Sequence, residues 1–164
     1  MWEVLVGLLV ASAVSGVLPI INAEVLVVAA AAAMPAVGVP LVALASTLGQ
    51  MSTKFSLFAV ARWAPSRLPS KAKGAIDRMT RPMEKRGGAV WLLIFASAAT
   101  GIPPFYGVSL AAGALGVKAS GFLTGGCCGR LIRFGVLAWL GHGLGARALE
   151  TFAEVVQAAQ LTGG

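Results

Sequence analysis

The chain has 164 residues, 57% of them hydrophobic and only 12% charged, with a mean hydropathy of +0.84. A soluble domain is ordinarily about 45–50% apolar and about 25% charged, so this composition excludes a soluble enzyme as the leading reading and points to an all-α integral membrane protein. The formal net charge of +7 is concentrated rather than spread: from Arg62 to Arg86 eight basic residues stand against Asp77 and Glu84. That is the pattern of a short cytoplasmic loop beside anionic headgroups, not of a nucleic-acid footprint. Taken in chain order, residues 2–14 form an apolar run of about 20 Å as a helix, short of the ~30 Å hydrocarbon thickness. Glu3 stands where a signal peptide would carry basic residues, so the run is read as part of the folded protein. Ser15-Gly16-Val17-Leu18-Pro19 breaks it, and a second apolar run follows over 22–34. Two half-length helices about a Gly/Pro break describe a kinked span or a hairpin that leaves on its own side.

The same grammar recurs downstream. Residues 89–99 are apolar, Thr100-Gly101-Ile102-Pro103-Pro104 is the break, and 105–115 return. Each hairpin precedes a Gly-Val pair, Gly38-Val39 and Gly116-Val117, opening a long apolar segment, about 38–63 and 116–140. Lys54-Phe55 and Arg133-Phe134 fall at similar depths in the two. The expected fold is therefore a single membrane domain over 1–164. It holds two inverted repeats, about 2–63 and 89–143, each a re-entrant broken hairpin followed by a transmembrane helix. A basic amphipathic loop at about 64–88 joins them, and a C-terminal surface helix covers about 144–160. Counting crossings puts the hairpins on opposite faces, unless 89–99 crosses fully. Within the loop, Ala72, Ile76, Met79 and Met83 keep helical spacing, as do Leu149, Phe152, Val155, Val156 and Ala159 near the end.

Glu24 is the sole acid between Glu3 and Asp77 and lies just after the first break. An intramembrane acid is costly and marks function, here as a proton carrier, or else it caps the returning half-helix. Lys54, Arg130 and Arg133 are the matching bases. The two arginines share a helical face at a spacing of three, able to grip a phosphate, pair with Glu24, or snorkel to headgroups. Gln50, Thr47, Ser52, Thr53 and Ser56 give the first long helix a polar stripe suited to helix packing, and Gly121, Gly125 and Gly129 form a small-residue stripe that is compatible with a homo-oligomer. Cys127 and Cys128 fit neither a disulfide framework nor a zinc site, His142 has no metal partners, and no nucleotide loop or nucleophile-base constellation is visible. Neither metal, cofactor nor covalent chemistry is expected.

On these residues the chain resembles the DedA family, the VTT-domain or SNARE-associated Golgi proteins, over roughly 18–140. The resemblance is carried by Pro19 and Glu24 as Pro-x-x-x-x-Glu, the basic loop, the break Ile102-Pro103, Ala112-Gly113, and the run Gly129-Arg130 to Arg133-Phe134. It implies opposed re-entrant hairpins and movement of lipids across bilayers, with bacterial relatives returning polyprenyl phosphate and eukaryotic ones scrambling phospholipids. Two signature arginines of the second hairpin are absent here, where Thr100 and Tyr106 flank the break, and Gln50 stands where an acid is expected. Phosphate recognition then falls to Arg130, Arg133 or Lys54. The functional expectation is an anionic-lipid transporter or scramblase in a bacterial or archaeal cell membrane, with Glu24, Lys54, Arg130, Arg133, Gln50 and Tyr106 at its site and protons as a coupling partner. The alternatives are a small-cation exporter, for which one acid is few, and a non-transporting scaffold.

Overall fold

A computed structural model describes residues 2–16, 22–64, 66, 70, 73–74, 76, 78, 80 and 89–162, with the side chains of 149, 152–153 and 155–162 outside that description. Among the described residues the chain is all-helical, with no strand. Its main elements are α1 (Trp2–Ser15), α2 (Ala23–Ala32), α3 (Val39–Trp63), α4 (Val90–Thr100), α5 (Phe105–Ala114) and α6 (Ala119–Thr162), with a 3₁₀ turn at Ala36–Gly38 before α3. Local chemistry sets the boundaries. Asn22 caps α2, its Oδ1 accepting the Glu24 amide at 2.9 Å, and the Ala-rich sequence that follows propagates easily. Gly101, at φ +83°, ends α4 in the left-handed conformation, and Pro104 opens α5.

Among the described residues one helical stretch, Ala36–Trp63, is long and apolar enough to cross a membrane. The shorter apolar helices α1, α2, α4 and α5 have 14, 10, 11 and 10 residues. Helix directions follow from which residues meet. Gly49 lies against Leu9, Ser12 and Ala13, and Thr53 donates to the Ala13 carbonyl, so α1 runs parallel to α3. Gly125 meets Trp91 and Ile94, Gly129 meets Phe95 and Ala98, and α4 runs parallel to α6. Between the two long helices, Met51 faces Gly126 while Phe58 stacks on Phe122, so α3 and α6 are antiparallel.

The returning helices cross over. α2 packs along α6, Val28 on Gly141 and Ala32 on Gly145, and α5 packs along α3, Gly113 on Phe58 and Ala61. Each short pair thus forms an antiparallel hairpin shared between both long helices, and the two hairpins point in opposite directions. Glycine sits at each of these crossings because a Cβ at 49, 113, 129, 141 or 145 would fall under 3.0 Å from a facing carbonyl. One apolar cluster joins Leu5, Val27, Val42 and Phe134; a second joins Phe58, Ile94, Val108 and Phe122.

The structure differs from the sequence reading at the C-terminal end. No boundary falls near 143: α6 continues unbroken for 44 residues, and at Gly141 and Gly145 the backbone of α2 presses against it. Of the loop helix, Ile76 packs beside Ala61 and Leu110, while Ala72, Met79 and Met83 lie outside the described residues.

Candidate functional site

The described residues that flank the two breaks lie beside Thr53 and Lys54 of α3 and Arg133 of α6. Gly16, ending the first ascending helix, lies against Thr53, and Lys54 Nζ donates to the Gly16 carbonyl at 2.8 Å. Arg133 Nη1 donates to the Ala99 carbonyl at 3.1 Å near the end of α4. A cation at a helix C-terminus meets the negative end of the macrodipole, so each long helix pins the tip of its own hairpin with a basic side chain. Pro19 lies outside the described residues. At the second tip Ser97 Oγ donates to the Pro103 carbonyl at 2.6 Å, and the Thr100 hydroxyl accepts the Ile102 amide at 3.1 Å.

Arg133 also reaches the other hairpin. Its Nε donates to Glu24 Oε1 at 3.0 Å and its Nη2 pairs with the same oxygen. Glu24 stands at the first turn of α2, so a single guanidinium ties α2, α4 and α6 together. The Glu24 side chain stays 40% exposed, beside a cleft of about 320 Å³ lined by Asn22, Glu24, Val25, Val28 and Ala29.

Arg130 does something else. Its guanidinium lies 5.1 Å from the Phe105 ring and 5.7 Å from the Phe134 ring. Cation–π contact holds the charge without using its donors. The residue is buried, at 9% exposure, and its Nε has no hydrogen-bond partner within the protein. Lys54, also buried, lies 5.6 Å from the Tyr106 ring centre. Gln50, one turn earlier, donates from Nε2 to Ser15 Oγ at 3.2 Å and leaves Oε1 unpartnered.

The six sequence-predicted site residues lie around the described ends of the two breaks, and they divide into fasteners (Lys54, Arg133, Gln50), an acid at the rim (Glu24), an exposed ring (Tyr106) and a donor-bearing cation (Arg130). The sequence reading noted Phe134 beside Arg133 without assigning it to the site, and gave Asn22 and Phe105 no place there. Phe134 follows Arg130 by four residues, one helical turn, a spacing that was available as a signal. Two of the three stripe glycines are taken up within the chain, by α4, and Gly121 meets nothing within 4 Å. Among the described residues no group of three His, Cys, Asp or Glu side chains gathers as a metal site. Compared with known proteins, the chain matches no family model, no curated protein and no solved structure.

Proposed function

We propose that the chain is an integral membrane protein of two inverted repeats, each a re-entrant hairpin followed by a transmembrane helix, similar to the DedA family. Its function is to move an anionic lipid, polyprenyl phosphate or phospholipid, across the bilayer. Three tryptophans support the membrane reading. Trp2 shares a groove with Leu41 and Leu44 at the start of α3, and Trp139 lies just beyond Phe134 and Ala138, which pack with Val42. Trp63 ends α3. All three are exposed, at 67–75%. From Leu41 to Trp63 is about 33 Å along α3, matching a ~30 Å hydrocarbon slab bounded by aromatic belts. The basic segment after Trp63 puts that end in the cytoplasm.

The observation that carries the transport reading is Arg130. Lys54 and Arg133 spend donors on protein acceptors, whereas Arg130, among the described residues, donates no hydrogen bond and lies between the Phe105 and Phe134 rings close to the charges of Lys54, Arg133 and Glu24. A phosphate oxygen at the open side of its guanidinium would accept a charge-assisted hydrogen bond from donors that the protein leaves unused. The headgroup would meet Arg130 and Tyr106 between the tips while its tails stay among the exposed apolar faces. Glu24 at the rim would compete with the phosphate for Arg133.

Reconstitution with fluorescent-headgroup phospholipid and polyprenyl-phosphate probes, read by a membrane-impermeant quencher, tests this. Wild-type protein should expose the inner-leaflet signal, and Arg130→Met should slow it about tenfold or more, the worth of one hydrogen bond to a charged group. Flux equal to that of empty vesicles for every probe, with and without a proton gradient, would reject the reading.

A further inference from the structure

The topology proposed above leaves one cation on the outer side. Of the thirteen lysines and arginines, residues 1–53 hold none and residues 134–164 hold one, Arg147. Outer segments are poor in Lys and Arg under the positive-inside rule, so a lone arginine beyond Trp139 needs a reason of its own, and its surroundings supply one. Arg147 borders a hollow of about 260 Å³ on the exposed face of α6, lined otherwise by Trp139, Leu140, Gly143 and Leu144. Trp139, Gly143 and Arg147 follow at spacings of four, one above another on a single face. Gly143 opens the hollow, since it carries no side chain and a Cβ there would meet nothing within 4 Å. α2 occupies the other side of the helix, against Gly141 and Gly145, two residues or about 200° around from this face. The one ion pair among the described residues joins Arg133 to Glu24, so Glu150, three residues past Arg147, does not pair with it.

We propose that this hollow docks the headgroup of an anionic phospholipid of the outer leaflet. Trp139 marks the outer boundary of the hydrocarbon slab, and Arg147 follows eight residues, about 12 Å, farther out. Its side chain borders the same hollow and leans back toward the bilayer, as helical side chains lean toward the N-terminus. That brings the guanidinium into the headgroup layer, about 5–8 Å thick outside a ~30 Å core. A phosphate there meets the planar guanidinium with two parallel hydrogen bonds. The glycerol lies over Gly143, and one tail runs toward the bilayer centre along Leu140, Val136 and Ile132, exposed at successive turns of the same helix. The lining holds no acid to receive an ammonium group, so a net anionic headgroup is favoured over a zwitterionic one. Arg130 lies 17 residues back along α6, about 26 Å away, which makes this a separate site. It rests on the membrane reading and its sidedness, not on the movement of lipid.

Tail-brominated lipids, which quench tryptophan on contact, test the site in the full chain reconstituted in phosphatidylcholine bilayers. Trp2→Phe, Trp63→Phe and Trp91→Phe together leave Trp139 as the reporter. Brominated phosphatidylglycerol should displace phosphatidylcholine beside Trp139 with a preference of about fivefold, the worth of one basic side chain near an anionic lipid surface. Arg147→Gln should bring that preference to parity, Arg147→Lys should keep most of it, and Gly143→Leu, which fills the hollow, should lower it. With all tryptophans in place, native mass spectrometry of the detergent-extracted protein should find one more phosphatidylglycerol retained by wild type than by Arg147→Gln. Quenching by both lipids without preference, or a preference that survives Arg147→Gln, would overturn the site and leave the membrane reading standing. A Trp139 that neither lipid quenches would reject the membrane reading and the site with it. Lipid flux enters neither readout.

Discussion

The seam between α1 and α3 and the seam between α4 and α6 share a backbone plan and differ in what fills it. Gly49 admits the backbone of α1 as Gly129 admits that of α4. Around Gly129 the lining is apolar, with Ile94 and Ala98 fully buried. Around Gly49 it is polar: Ser12, Ser46 and Thr47 are buried with hydroxyls that find no partner within the protein, as is Gln50 Oε1. Where the second half places Arg130 and Arg133 on the long helix, the first places Gln50 and Thr53. One seam is closed by packing, and the other keeps unmet hydrogen-bonding capacity along its length. Close helix approach is thus what the architecture requires in both halves, while polarity is free to diverge.

The harshest way to break the comparison is at the shared feature. Gly49→Leu and Gly129→Leu should both prevent folding, because each drives a side chain into a facing backbone carbonyl that has nowhere to go. Gly121→Leu and Gly135→Leu, in open space, should leave a monodisperse peak on size-exclusion chromatography in detergent. Next in size is the contrast between counterparts. Arg130→Met should keep the fold, since a buried charge replaced by an apolar residue of similar volume is often neutral or stabilising, yet lose lipid flux. Gln50→Met, which gives up the tie to Ser15, should slow flux less than Arg130→Met and change stability by less than about 1.5 kcal/mol. The smallest effects separate the seams themselves. Thr47→Val, which removes an unpartnered hydroxyl, should be neutral or stabilise by up to about 1 kcal/mol, whereas Ala98→Ser in the dry seam should cost about 1–3 kcal/mol. Denaturant titration monitored by tryptophan fluorescence would register both, and equal signs would erase the distinction.

Much of this plan is legible in the residues, because Gly/Pro breaks and apolar run lengths are local. Glu24 meeting Arg133 was one of the pairings open to the sequence. The register between halves was less legible. Matching by charge sets Lys54 beside Arg133, but Thr53 is the residue that bonds Ala13 as Arg133 bonds Ala99; the offset is fixed by the glycine crossings, which a comparison of side-chain types does not see. The continuity of α6 was hidden for the same reason. Glycine reads locally as a helix breaker, and the partner helix that meets Gly141 and Gly145 is not local. The split between Arg130 and Arg133 was likewise out of reach, since it depends on the Phe105 ring arriving from α5.

Because α6 is one uninterrupted rod, it works as a lever. Its last grip is Gly145 against the Ala32 backbone of α2, and its far end at Thr162 lies 17 residues on, about 26 Å away. A tilt of about 10° there would swing that end by about 4 Å. The mechanical consequence is amplification: whatever shifts α2 along α6 is reported, enlarged, at the end of the helix, where a spin label or fluorophore could read it without touching the buried cluster.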